Sequence, residues 1–153
     1  MSDTHSATEK SKTMSFLAKE PWHDTKYVLE AGQTYRIGNV TAAPPLKDCF
    51  IPANPDGIEP AHAWKMNWLR FGLRLKTAKS LADGNQVRVT FFTLLGCIGQ
   101  DEKTAFVIGS KGGLLKVESD VEKGRTLHVF VNDWRGMYKN NEGGLSLTIE
   151  AVG

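Results

Sequence analysis

The chain has 153 residues, 24% charged and 41% hydrophobic, with a formal net charge of +2, enough for one domain that buries roughly two-thirds of its unfolded surface. So small a charge makes no strong field, which argues against nucleic acid as a partner, and no apolar run approaches the roughly 20 residues of a membrane span. Fifteen glycines among short Val-, Phe-, Leu- and Thr-rich runs point to an all-β chain.

Residues 1–15 are polar and lack the apolar stretch of a conventional cleaved signal peptide. The expectation is a product that is cytoplasmic as synthesised, with release or surface display by a non-classical route. Residues 1–20 read as a flexible tail or lead-in, and 21–153 as a single β-sandwich domain. A period-two pattern begins with 26–30 and 33–39, which flank Ala31-Gly32 as a hairpin would. Residues 41–63 are then an irregular stretch punctuated by Pro44-Pro45, Pro52, Asn54-Pro55-Asp56-Gly57 and Pro60. A loop of that length inside a domain is usually functional.

Further strands are predicted over 68–77, 86–95, 104–108, 114–118, 125–132 and 144–152. Turn signals such as Asp83-Gly84-Asn85 and Lys111-Gly112-Gly113 separate them. About eight short strands joined by Gly-rich turns indicate a β-sandwich or barrel. Over 68–76, Leu69, Phe71, Leu73 and Leu75 share one face, and Arg70, Arg74 and Lys76 share the other, which reads as a half-buried strand with a solvated basic face. That face lacks the interleaved aromatics of an oligonucleotide-binding barrel. His128 lies in an alternating strand, where it is expected to face solvent.

Enzyme signatures are missing. Ile108-Gly109-Ser110-Lys111-Gly112 lacks the first glycine of a nucleophile elbow. There is neither a His-Glu-x-x-His motif nor a phosphate-cradling loop before a helix, so no catalytic residue is assigned. Cys49 and Cys97 match no zinc or redox spacing. A disulfide between them and two free buried thiols both stay open.

The most informative segment runs from Asn132 to Gly144, between two alternating runs. It carries one carboxylate, Asp133, and two adjacent amides, Asn140 and Asn141. Hard oxygen donors on one rigid loop suit calcium, which takes six to eight oxygens from carboxylates, amides, carbonyls and water. The same residues also make turns, so turn chemistry is the competing reading. Trp134, beside Asp133, could pack on the apolar face of a sugar or wedge the loop.

Together, Thr93-Leu-Leu-Gly-Cys-Ile-Gly99, Thr104-Ala-Phe-Val-Ile-Gly109, Gly124-Arg-Thr-Leu-His-Val-Phe-Val-Asn-Asp133, Tyr138-Lys-Asn-Asn141 and Gly144-Leu-Ser-Leu-Thr-Ile149 resemble the calcium-dependent galactophilic lectins of bacteria. Gly32-Gln-Thr-Tyr-Arg-Ile37 looks like their early strand. The match covers the C-terminal 60 or so residues well and the rest in outline. The resemblance implies a jelly-roll-like, galactose-binding-domain-like antiparallel β-sandwich. It also implies calcium held by Asp133, the Met137 carbonyl, Asn140, Asn141 and a carbonyl somewhere in 42–48, with two vicinal sugar hydroxyls completing the shell. His62 is a sugar contact by analogy. Glu142 departs from the family, which has a small hydroxyl residue there, and residues 64–92 are longer than the family needs.

Two functions follow. The first is a non-enzymatic, calcium-dependent lectin for galactose-type glycans, acting as a homo-oligomer, with no nucleic acid and no membrane insertion. The second is a β-sandwich interaction or structural module of a larger assembly such as a toxin, secretion or phage particle, its calcium site structural or lost.

Overall fold

The computed structural model describes residues 10–48, 51–58, 72–134 and 136–152. In chain order the strands are β1 (Ser11–Leu17), β2 (His23–Val28), β3 (Thr34–Ala42), β4 (Lys47–Asp48), β5 (Ile51–Asn54), β6 (Gly57–Ile58), β7 (Thr77–Lys79), β8 (Gln86–Arg88), β9 (Leu94–Ile98), β10 (Phe106–Val107), β11 (Gly113–Lys116), β12 (Thr126–Val131), β13 (Asn141–Glu142) and β14 (Gly144–Val152). Single 3-10 turns lie at Glu102–Thr104 and Tyr138–Asn140. Eight of these strands have four residues or more. Among the described residues no helix is long and apolar enough to cross a membrane.

Alternation builds the sandwich. In β14, Leu145, Leu147 and Ile149 are buried while Ser146, Thr148 and Glu150 are more open, the half-buried pattern of an antiparallel strand. One sheet has the order β1-β14-β3-β11 and a second the order β2-β12-β9-β10-β7-β8. Every pairing in them is antiparallel except β10 with β7. Between them lies one core, in which Met14, Phe16, Tyr35, Ile37, Leu147 and Ile149 of the first sheet meet Tyr27, Leu94, Leu127, Val129 and Val131 of the second. A small third sheet, β13-β4-β5-β6, sits at one end.

Several expectations are corrected. The flexible lead-in over 1–20 is instead a strand over 11–17. It pairs with β14 in full register from Ser11↔Glu150 to Leu17↔Gly144, because Met14 and Phe16 are apolar side chains that the core needs. Residues 1–9 lie outside the described residues. The hairpin around Ala31-Gly32 is not one: β2 pairs with β12 and β3 with β14 and β11, so the turn crosses between sheets. The irregular stretch 41–63 contains the end of β3 and all of β4, β5 and β6. The single strand predicted over 86–95 is two strands, interrupted by Phe92 at φ +68°, whose N–H donates to the Asn132 carbonyl. Of the strand predicted over 68–77, residues 68–71 lie outside the described residues, 72–76 are in no strand, and Thr77 opens β7.

A further layer covers the outer face of the second sheet. Leu95, Cys97 and Phe130 point away from the main core and pack with Ala78, Val89 and Ala105, and with Trp22 and Leu75 above them. This is why β12 is buried on both faces. His128, expected in solvent, is buried there, with Nε2 3.8 Å from the Asp24 carboxylate and Trp22 edge-on to its ring. Cys97 is a free thiol that burial pushes up to about 12, against the pull of Arg74; Cys49 lies outside the described residues.

Candidate functional site

The segment 132–144 leaves the end of β12 and is held at both ends. Asn132 is completely buried. Its side-chain amide donates to the Leu75 and Thr90 carbonyls and its oxygen accepts from the Leu75 N–H, so three of its four hydrogen-bonding positions pin neighbouring segments. Asp133, next along, is buried. Its Oδ1 accepts the Trp134 N–H at 2.7 Å, and its carbonyl accepts the Arg74 N–H at 2.9 Å.

The Met137 N–H closes a turn onto the Trp134 carbonyl. Tyr138–Asn140 then form the 3-10 turn, closed by the Asn141 N–H on the Tyr138 carbonyl. Met137 (45% exposed) and Asn140 face outward, while Tyr138 and Asn141 face inward. The Tyr138 hydroxyl donates to Val131 O at 2.7 Å, and burial pushes its phenol up to about 12, with Arg74 pulling the other way. Asn141 donates from Nδ2 to Ala18 O at 3.2 Å. Its Oδ1 is buried and accepts no hydrogen bond. Buried amide oxygens are nearly always satisfied, which makes this atom a candidate ligand.

Residues 42–48, expected to supply a carbonyl, run directly beside this loop. Asn141 is opposite Asp48 and Glu142 opposite Lys47 in register. Gly143, at φ +101°, lies so close that a Cβ would come within 2.5 Å of the Pro45 carbonyl oxygen; only glycine fits. The third sheet therefore sets Asn141 and Glu142 beside residues 47–48. Among the described residues no three His, Cys, Asp or Glu side chains gather around a common metal position. A cation at this loop would draw on amide and carbonyl oxygens beside Asp133, which suits calcium and not zinc.

Trp134 bridges to Leu73 and packs with Leu73 and Phe91. Its ring lies flat against Gly72, where any Cβ would collide with it. It wedges the loop, with part of its surface left open. His62 lies outside the described residues. A crevice of about 360 Å³, lined by Phe16, Leu17, Glu20, His23, Pro44 and Gly144 among others, opens beside the loop. Its Glu20 carboxylate is already engaged by the Leu17 N–H and by His23.

Sequence reasoning missed Arg74, which was assigned to a solvated face. Its side chain is 2% exposed and bonds Glu102, Pro21 O and Tyr138. It also missed Ala18, whose N–H donates to Gly143 O and whose carbonyl holds Asn141. The only sequence signal was indirect: an arginine and several aromatics that one face of one strand does not need.

No family model and no curated protein sequence matches the chain. Among solved structures, the fold matches the EclA N-terminal domain, described as a PllA-like lectin, with a TM-score of 0.61 and 17% sequence identity. The match covers 94% of this chain and 99% of that one. The chain has a lectin-like β-sandwich fold. At that identity the likeness shows architecture alone.

Proposed function

We propose that the protein is a non-enzymatic, calcium-dependent lectin whose ion and sugar both sit on the segment 133–142. The observation that carries this reading is the buried, unsatisfied Oδ1 of Asn141, held one loop away from the buried carboxylate of Asp133. Asp133, Asn140, Asn141 and the Met137 carbonyl, with a carbonyl from 42–48, would hold calcium. When bound, the ion supplies open coordination positions for neutral oxygens such as vicinal sugar hydroxyls. A single side-chain carboxylate leaves such an ion under-neutralised, which favours further oxygen ligands. Trp134 braces the loop from the Leu73 and Phe91 side. The resemblance to galactophilic lectins, including His62 as a sugar contact, supports a galactose-type glycan.

A small sugar on a shallow site buries few atoms, so single-site affinity is weak. A homo-oligomer presenting several sites supplies the avidity. Calorimetric titration of calcium into metal-stripped protein, followed by a glycan array with and without chelator, tests the reading. Calcium heat with chelator-sensitive galactoside binding supports it. A blank array from folded, calcium-loaded protein would instead favour the interaction-module alternative.

A further inference from the structure

Arg74 is heavily engaged among the described residues. Its Nε donates to Glu102 Oε1 at 2.6 Å, and its Nη1 donates to Pro21 O at 2.7 Å and to the Tyr138 hydroxyl at 3.0 Å. The guanidinium carbon lies 4.3 Å from the Trp22 ring centre and 3.9 Å from that of Phe130. Two aromatic faces thus fix the plane of the fork while three acceptors fix its rotation.

We propose that Arg74 is a positioning residue for the calcium loop, acting through Tyr138; the inference rests on the calcium reading above. Its two attachments fall on two different parts of the loop. The Arg74 N–H holds the carbonyl of Asp133, the residue that carries the carboxylate. The Arg74 side chain holds Tyr138, whose carbonyl in turn accepts the Asn141 N–H. One residue therefore sets the spacing between the acidic and the amide ligands.

The bracket is completed by the segment between β1 and β2. Pro21 accepts from Arg74, and Ala18, three residues earlier, holds both Asn141 and Gly143. A cation buried near a cation site would ordinarily oppose binding. Glu102 at 2.6 Å neutralises it, so Arg74 supplies geometry without the repulsion that an unpaired buried charge would bring. Lysine has neither the fork nor the flat face, so it cannot replace it.

The test is a double-mutant cycle on calcium affinity, measured by calorimetry on the metal-stripped full chain. The proteins are wild type, Arg74→Met, Tyr138→Phe and the double variant, with Leu115→Ala on the far edge strand as a control for general loss of stability. Removing a group that orients a metal ligand costs about 10- to 100-fold in affinity. Each single change is therefore expected to weaken calcium by about tenfold, and the double by little more than either. Should Arg74→Met fail to fold, Arg74→Lys takes its place in the cycle. Single variants within twofold of wild type overturn the positioning role. So does an additive cycle, and so does equal weakening in Leu115→Ala. A wild-type protein that binds no calcium overturns the calcium reading itself, and this inference with it.

Discussion

Tyr138 reaches back seven residues to Val131: its hydroxyl donates to the carbonyl of the last residue of β12 at 2.7 Å. The loop is thereby tied to the strand it has just left. The tie needs no ion, and with the phenol pushed up to about 12 by burial the hydroxyl keeps its proton at neutral pH. The proposed calcium loop is consequently held in place without an ion.

Metal removal should therefore change stability more than structure. A ligand at 100 times its Kd stabilises the folded state by about 2.7 kcal/mol, and about 1 kcal/mol moves Tm by roughly 2–4 °C in a chain of this size. Chelation should lower Tm by roughly 5–11 °C from that calcium level while the circular dichroism spectrum at 25 °C stays the same. A Tm indifferent to calcium and chelator would count against the site.

Asp133→Asn keeps the shape and an oxygen that can still accept the Trp134 N–H, but removes the negative charge. Since ligand charge tunes calcium affinity over several decades, Kd should rise on the order of 100-fold. Glycan binding should fall in parallel, with the metal-free Tm close to wild type. Loss of calcium affinity with glycan binding intact would place the sugar elsewhere.

Asn141→Ala separates stability from affinity differently. It removes one side-chain hydrogen bond, to Ala18 O, together with the oxygen that accepts nothing. The two effects oppose each other, so chemical denaturation of the metal-free protein should change by about 1 kcal/mol or less. The calcium-induced rise in Tm should largely vanish. An unchanged rise would remove Asn141 from the ion's shell.

Asp24 predicts an acid limb to stability. Burial alone would raise its pKa. The N–H of Lys26, the Thr126 hydroxyl, the Lys26 ammonium and the charge of His128 outweigh that and lower it from 3.8 to about 2. A depressed carboxyl contributes stability that is present above the unfolded value and is lost as pH falls through the folded one. Denaturation series should show Asp24→Asn less stable than wild type at pH 5 and above, with the gap closing between about pH 4 and pH 2.

The alternating runs at 126–131 and 144–149 made the strands on either side of the loop legible, and the Asp133–Asn141 spacing made the loop itself legible. What stayed hidden came from partners distant in sequence. Arg74 looked solvated because period-two reading assigns each cation to water. Its burial depends on Trp22, Phe130 and Glu102, none of which lies within 25 residues of it. The strand at Ser11–Leu17 has only Met14 and Phe16 as apolar alternation inside a polar stretch, and its partner arrives more than 120 residues later. His128 was misplaced for the same reason as Arg74: a second layer covers a sheet face that local pattern treats as open.

The antiparallel match of β1 with β14 fixes how the molecule can be mounted. Ser11 lies opposite Glu150, and Leu17 opposite Gly144, two residues from the end of the segment 133–142. Strands advance roughly 3.3 Å per residue, so residues 11 and 150 stand side by side about 20 Å from the loop. The first strand therefore begins, and the last one ends, at the end of the sheet away from that segment. A tether at either end, to a surface or to a neighbouring domain, would hold the molecule by its base and leave the loop pointing outward.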